Sequence, residues 1–412
     1  MKLTREELQR SSSESPFQLF QQGIRAEATR DKYTRTLQRI LCEILDEFLE
    51  GTVEDRAAQL VRFAKQDPDY AQDLLLGLSK KLRERTTLPK SDKNYFNPQS
   101  FDNYFKPIKK LFDMNNVAFA WKRIYSTFPE IDNVADTREW KRDEIQQMLK
   151  FANGSMDRAI ILIAASSGIR SGAFKFHWED ITPIFKVNGE LKIDVTESQS
   201  DAQLVCAMLK VYKGTNESYP AFITPEAYQS VLDYKKEWTK EVGRDPLPKD
   251  HLFKKDGTLP IMANPPALKK RIERILQSAG IRTPMKKGQK RHEVPVMNGF
   301  RRFWNKACKE SLSRDSPLAS LIKKEFMMGH TGLVKFDRNY FKTQVLELAE
   351  EYLNAVPNLT ISDEERIKTE NRMLRKEKTE MEKQIPAIVE EAVERMRIKL
   401  ARNGWANAAS NQ

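Results

Sequence analysis

Five short motifs follow one another along the chain, and each carries a side chain suited to chemistry on a phosphodiester. They are the segments 166–173, 213–214, 298–304, 327–332 and 338–342. The candidate reactive side chains in them are Arg170, Lys213, Asn298, Arg301, His330 and Tyr340. Any one of these motifs is a weak signal alone, so the argument depends on the ordered set.

Attack on a phosphodiester builds negative charge around phosphorus, and preorganised cations stabilise that charge. Arg170 and Arg301 suit this task because a guanidinium donates to two phosphate oxygens and does not deprotonate. The phenol of Tyr340 is a nucleophile that needs no cofactor. Lys213, at a predicted hairpin turn, can deliver a proton to the leaving sugar oxygen. His330 can hydrogen-bond the phosphate or carry a proton.

In this order and at this spacing the motifs resemble those of the tyrosine recombinase (phage-type integrase) family, with an archaeal or mobile-element branch as the favoured origin. That family carries an Arg after an SGxR turn, a hairpin Lys, an HxxR box, a GH box and a nucleophilic Tyr about nine residues later. His330 and Tyr340 are ten positions apart. The resemblance implies a 3′-phosphotyrosine intermediate and a free 5′ hydroxyl, with no metal, ATP or other cofactor.

Two positions depart from the family pattern. Asn298 stands where the HxxR box has His, and an amide donates to a phosphate but cannot act as acid or base. Ala173 stands where many members have an acid that supports the histidines. The sequence therefore leaves the identity of the general base open. Several motif residues also have rivals nearby. These rivals are Lys210 for Lys213, Arg302 for Arg301, and Tyr352 and Tyr219 for Tyr340.

The net charge points to a polyanion. The chain has 412 residues, with 70 Lys and Arg against 58 Asp and Glu, a net charge of +12. Residues 261–310 hold 13 basic and three acidic residues, and a second basic cluster lies in 80–110 with aromatic residues between the charges. Two clusters suit a grip on a long duplex, so we expect double-stranded DNA as partner. The expected DNA-contacting residues are Lys80, Lys81, Arg83, Arg85, Lys109, Lys110, Lys286, Lys287, Lys290 and Arg302.

Other classes of protein are disfavoured by the sequence. The three cysteines are far apart and the four histidines lack metal-ligand spacing, so neither a disulfide scaffold nor a metal site is expected. No phosphate-binding glycine loop is present, and the longest apolar run is too short to span a bilayer. We expect a cytoplasmic, nucleoid-associated protein without membrane contact.

The apolar pattern indicates how these residues are positioned. A polar flexible tail is expected over 1–15, an all-α core-binding domain over 16–125, a linker over 126–139 and the catalytic domain over 140–357. The catalytic domain is predicted to be mixed α+β and mainly helical, with a small sheet or hairpin from strands near 191–195, 204–212 and 221–224. A helical tail over 358–412 repeats Ile367, Leu374, Met381 and Ile388 every seven residues, which allows either a solvated helix or a coiled coil.

The preferred function is a site-specific DNA recombinase or integrase, acting as a tetramer on two DNA sites. Two alternatives stay open. One is a relative that binds DNA but has impaired catalysis, because of Asn298 and Ala173. The other is a type IB topoisomerase, which applies the same chemistry to one duplex.

Overall fold

A computed structural model describes residues 14–131, 137–193, 195, 202–282, 284–285, 292–313, 316–330 and 344–409. The chain divides into two compact units, one of Met1–Ala135 with Met285–Arg291 and the other of Asp136–Pro284 with His292–Gln412. Tyr340 lies outside the described residues, as do Lys286, Lys287 and Lys290. The expected boundaries at 15, 125, 139 and 357 stay predictions.

Between residues 14 and 131 the described chain is helical and contains no strand. Its α-helices are α1 Pro16–Gln22, α2 Glu27–Arg39, α3 Val53–Gln66, α4 Pro68–Glu84, α5 Phe101–Met114 and α6 Trp121–Tyr125. A π-helical turn, Ile40–Ile44, continues α2. Apolar steps of three and four residues predict one helix face from Tyr33 to Phe48, but the α-helix ends at Arg39 and the π-helical turn ends at Ile44.

Local capping explains where two of these helices begin. At α3, Thr52 and Asp55 form a capping box, in which each side chain accepts a hydrogen bond from the other's backbone N–H. At α4, the Asp67 carboxylate accepts from Tyr70 N, and Pro68 occupies the first helical position, where no N–H is needed.

The aromatic residues of the second basic cluster are core residues. Phe96, Phe101 and Phe105 are buried, and the Phe96 ring lies 4.8 Å from the Tyr104 ring, centroid to centroid. An expectation that they alternate with the lysines as a DNA-binding face is therefore wrong for these three side chains. Phe101 and Phe105, four residues apart, share one buried face of α5, and Phe96 packs against Phe101 from the loop before it.

The second unit contains a four-stranded antiparallel sheet with strand order β2-β1-β3-β4. The strands are β1 Ile181–Val187, β2 Glu190–Ile193, β3 Gln203–Val211 and β4 Tyr219–Ile223. The predicted strands correspond to β2, β3 and β4, and β1 was missed. Pro183 lies in β1 opposite Ala207, with a bulge at Ile184/Phe185, and a proline argues against a central strand when only the sequence is read.

Helices surround this sheet and supply the core. They are α7 Arg142–Lys150, α8 Ser155–Ser167, α9 Pro225–Val242, α10 Pro265–Ser278, α11 Val296–Glu310, α12 Pro317–Met327, α13 Val345–Leu353 and α14 Val356–Leu359. Most of α8 is buried, against α9 and α11. The two arginine motifs are thus carried by the end of a central helix and by a helix packed on it.

A long helix, α15 Asp363–Ala409, lies in the second unit. It continues through Pro386. Its apolar side chains Ile367, Leu374, Met381 and Ile385 are exposed. Among the described residues, no helix has both the length and the apolar character needed to cross a membrane.

Candidate functional site

The Arg301 guanidinium joins three separate motifs. It lies on α11 and is 8% exposed. Its Nη1 donates to the Gly168 carbonyl at 2.6 Å, and its Nη2 donates to the Met328 carbonyl at 2.9 Å. Its Nη2 also lies 2.6 Å from His330 Nε2. The SGxR turn, the α11 helix and the GH box therefore meet at this one side chain.

Arg170 lies beside Arg301. It is exposed and donates from Nη1 to the Gly329 carbonyl at 3.2 Å. Burial and the positive charge of Arg170 together lower the pKa of Arg301. In the part of the chain that the structure describes, neither guanidinium has a carboxylate partner. Two adjacent cations without a counter-charge form a site that an anion would stabilise.

Two motif glycines let these segments approach closely. Gly168 ends α8 with φ of 62°, and a Cβ there would lie 2.6 Å from an atom of the Trp304 ring. Gly329 has φ of 67°, and a Cβ there would lie 2.5 Å from the Tyr219 ring. Both positions need the left-handed conformation and the missing side chain. Their carbonyls are the ones that receive Arg301 and Arg170.

His330 is held on its other side by Glu325, which the sequence reasoning missed. His330 Nδ1 lies 2.5 Å from Glu325 Oε2. Lys324, which is 1% exposed, approaches Glu325 Oε1 at 2.7 Å and donates to Asn305 Oδ1 at 2.6 Å. Burial would raise the pKa of Glu325, but hydrogen bonds from Lys324 and His330 outweigh it and lower that pKa. A carboxylate five residues before a histidine belongs to no motif in the set, so only the fold reveals it.

Two phenols from the sheet border the arginines. Burial raises the pKa of Tyr219 to about 12, against the opposing positive charges of Arg301 and Arg170. Burial also raises the pKa of Tyr212, which feels the same two cations. Tyr212 has φ of 52°, a rare conformation for a side chain of its size, and it immediately precedes Lys213. The strained backbone of Tyr212 therefore lies directly before Lys213, the lysine predicted to lie in the hairpin turn.

Lys213 lies in the turn between β3 and β4 and contacts acids rather than the arginines. Its Nζ donates to Glu179 Oε1 at 2.7 Å and lies 3.4 Å from Asp180 Oδ1. The hydrogen bond to Glu179 raises the pKa of Lys213. The rival Lys210 is exposed at the end of β3. To reach a substrate, Lys213 would have to leave Glu179.

Of the remaining predicted residues in the second unit, Asn298 can face a ligand, whereas Arg302 and Tyr352 make structural contacts. Asn298 is exposed, one turn before Arg301 on α11, so both can face one ligand. Arg302 Nη1 donates to the Thr137 carbonyl and so holds the chain ahead of α7. Tyr352 is fully buried and donates to the Ser166 carbonyl at 2.8 Å, a structural contact that disfavours it as the nucleophile.

Part of the predicted DNA-binding set in the first unit is at the surface. Lys80, Lys81 and Arg83 are exposed at the end of α4. Arg85 is half-buried, and its Nε donates to the Asn94 carbonyl at 2.7 Å. Lys109 and Lys110 are half-buried on α5, and Lys109 Nζ lies 5.8 Å from the centroid of the Tyr125 ring. No cluster of three or more potential metal-ligating His, Cys, Asp or Glu side chains occurs within the described ranges.

Comparisons with known proteins identify similar solved structures. The chain is similar to the XerH site-specific recombinase bound to a palindromic difH substrate, with 13% identity, 81% of this chain and 94% of that chain covered, and a TM-score of 0.43. It is similar to a lambda integrase dimer bound to a core site (10% identity, 82% and 95% covered, TM-score 0.39). It is also similar to the Tn1549 transposon integrase in complex with transposon right-end DNA (12% identity, 81% and 100% covered, TM-score 0.38).

No protein-family model and no curated protein matches the chain. These solved structures are recombinases and integrases.

Proposed function

We propose that this protein is a site-specific DNA recombinase or integrase that cuts and rejoins strands through a 3′-phosphotyrosine intermediate. The observation that carries the proposal is the pairing of Arg170 and Arg301 without a carboxylate among the described residues. Such a pair matches the charge and the forked geometry of a phosphodiester. His330 is held at the same place by Arg301 and Glu325.

In the proposed reaction the Tyr340 oxygen attacks the scissile phosphorus, and the P–O5′ bond breaks as the P–O bond to Tyr340 forms. Arg170 and Arg301 stabilise the charge that develops on the non-bridging oxygens. Lys213 leaves Glu179 and gives a proton to the departing 5′ oxygen. The freed 5′ hydroxyl of a partner strand then reverses the step, so the covalent bond conserves the energy of the broken linkage.

The wider assignments belong to the same proposal. Double-stranded DNA is the partner, gripped by the exposed cations of both basic clusters, and four copies act on two sites. The protein works in the cytoplasm at the nucleoid, without metal or ATP, and a mobile element is its proposed genetic setting. What supports this is the basic excess and its concentration in 261–310.

Tyr340→Phe tests the proposal directly. The wild-type chain is mixed with nicked duplexes that carry the DNA flanking its gene, and the products are separated on a denaturing gel. We expect wild type to form a covalent adduct and Tyr340→Phe to form none, while both bind the duplex with similar affinity, because one hydroxyl adds little to the many phosphate contacts.

Tyr212→Phe is the matched control, since that phenol lies beside the arginines and immediately precedes Lys213. It should still form the adduct. An adduct with Tyr340→Phe that disappears with Tyr212→Phe would mean that the nucleophile is misassigned. Binding without any wild-type adduct would favour the impaired relative, and relaxation of one supercoiled duplex without exchange would favour the topoisomerase.

A further inference from the structure

We propose that His330 is the general base of the reaction and that Glu325 is the residue that positions it. This inference rests on the proposed strand-cleavage function and extends it to the group that the sequence leaves open. Among the described motif residues, Asn298 cannot accept the proton, and Ala173 removes the carboxylate that many family members provide. Glu325 supplies a carboxylate from another element, α12.

The contacts around His330 fix which ring nitrogen carries the proton. A guanidinium offers only donors, so His330 Nε2, 2.6 Å from Arg301 Nη2, must accept. A neutral imidazole then carries its hydrogen on Nδ1, which donates to Glu325 Oε2 at 2.5 Å. Nε2 therefore has the lone pair that a base needs. The hydrogen bond from Nδ1 to the Glu325 carboxylate fixes the orientation of the imidazole ring and so of that lone pair.

The charges around the imidazole suit transient protonation. Glu325 contacts the ring from α12 and Arg301 contacts it from α11. Around them, Lys324 contacts Glu325, Arg170 donates to the Gly329 carbonyl, and the Tyr219 and Tyr212 phenols lie near the two arginines. Glu325 is the acid in direct contact, and its lowered pKa keeps it ionised. The carboxylate stabilises the imidazolium that forms when Nε2 takes a proton.

The proton balance is complete with these groups. Substrate phosphate accepts hydrogen bonds from Arg301, which releases His330 Nε2. As the tyrosine oxygen bonds to phosphorus, its proton passes to Nε2, while Nδ1 continues to donate to the ionised Glu325. The 5′ oxygen leaves with a proton from Lys213. In the rejoining step the imidazolium returns its proton to the tyrosine oxygen.

The first test is the pH dependence of adduct formation by wild type, Glu325→Gln and Glu347→Gln on the nicked flanking-DNA duplexes. Glu347 is a suitable control because it is half-exposed and pairs loosely with Lys323, at 3.9 Å. For wild type the rate should rise with pH and then level off, since a base works only when unprotonated. In Glu325→Gln the plateau should fall by about 100-fold, because the imidazole loses the carboxylate that orients it and stabilises its protonated form.

Glu347→Gln should follow the wild-type profile. A plateau in Glu325→Gln as high as that of wild type would overturn the proposal, because the base would then work without its carboxylate. A 5′-bridging phosphorothiolate, whose sulfur leaves without a proton, should restore Lys213→Ala but not Glu325→Gln. If the phosphorothiolate restored cleavage by Glu325→Gln, Glu325 would be assisting departure of the 5′ oxygen, and this result would also overturn the proposal.

Loss of Glu325 leaves the buried Lys324 ammonium without its acid, so folding needs its own control. Lys324→Met and the double variant Lys324→Met/Glu325→Gln both lack that ammonium. A comparison of the two therefore measures the effect of the Glu325 carboxylate alone. Nitrogen-15 spectra of the histidines, with His330→Gln to identify the signal, should show the Nδ1–H form in Lys324→Met. The same tautomer in similar proportion without Glu325 would overturn the proposal. If wild type forms no adduct but the spectra show a tautomer that depends on Glu325, the proposed strand-cleavage function is wrong. The positioning of His330 by Glu325 would still be supported.

Discussion

Arg301 is the residue on which the geometry of the site depends. Its guanidinium satisfies the carbonyls of Gly168 and Met328 and also reaches His330. Few other residue types could do this, because three acceptors in different directions require a planar group with several donors. The same side chain therefore supports both the fold of the motifs and the proposed binding of phosphate.

Arg301→Lys should damage both properties. A lysine keeps the charge but not the fork, so at least one buried carbonyl loses its partner. We expect the free energy of unfolding, measured by denaturant titration, to fall by about 1–3 kcal/mol, and adduct formation to fall by about 100-fold or more. Arg302→Lys is the matched control, since the neighbouring Arg302 contacts the Thr137 carbonyl instead. Equal loss of cleavage in both variants would mean that the two arginines are wrongly distinguished.

At this scale the sequence predicts the residues that belong to motifs and misses their supports. The fold brings Arg170, Arg301 and His330 together, although they lie far apart in the chain. Glu325 could not be predicted, because its role depends on how the end of α12 turns back toward α11. The contact of Lys213 with Glu179 was missed for the same reason, since it joins two turns far apart in the chain.

At the scale of elements, the site depends on how α8 ends. Gly168 changes the chain direction with a left-handed conformation, its carbonyl receives Arg301, and Trp304 packs where a Cβ would be. The turn is thus specified by backbone conformation and by packing together.

Gly168→Ala separates these two contributions when it is compared with Gly280→Ala. Gly280 has φ of 67°, and a Cβ there would have no atom of the described residues within 4 Å, so alanine meets only the cost of the left-handed conformation, about 1–2 kcal/mol. Gly168→Ala should lose more than Gly280→Ala in denaturant unfolding, because the Trp304 ring must also move, and it should lose adduct formation. If both variants lost the same free energy of unfolding, the Trp304 ring would be able to move away from the new Cβ without destabilising the protein.

The elements themselves were predictable where apolar spacing or capping was clear. The apolar spacing of residues 101–114 predicts a helix, and α5 has those bounds, Phe101–Met114. Helix α9 was missed although Thr224 caps it, Pro225 opens it and Gly243 ends it with φ of 79°. Strand β1 was hidden by Pro183, which only the partner strands and the neighbouring bulge explain.

At the scale of the whole molecule, the two described units divide the proposed work. The second holds the arginine pair, and the first exposes cations at the end of α4. Long helix α15 belongs to neither task. Its first turn is anchored to the rest of the second unit, because Gln146 Nε2 donates to the Ile361 carbonyl at 2.8 Å and to Asp363 Oδ2 at 3.1 Å. Beyond that turn its apolar side chains Leu374, Met381 and Ile385 are 53–64% exposed.

Truncation after Lys368 tests whether this exposed face joins copies of the chain. It keeps the anchored turn and removes the exposed apolar residues, so the free energy of unfolding should change by no more than about 0.5 kcal/mol. Adduct formation should persist, while light scattering after gel filtration of the protein–DNA complex should show a smaller assembly. Deletion from residue 358 is the contrasting variant, because it also removes the buried Leu359 and Ile361 and should cost several kcal/mol, about 2–5 for each.

A double substitution on the same face narrows the cause. Leu374→Glu with Met381→Glu should reduce the assembly as truncation does, because apolar residues seven apart lie along one face of the helix. Thr379→Glu, at an exposed polar position between them, should not. Assembly of the truncated chain to full size on DNA would show that α15 is a solvated helix and that the copies meet through other surfaces.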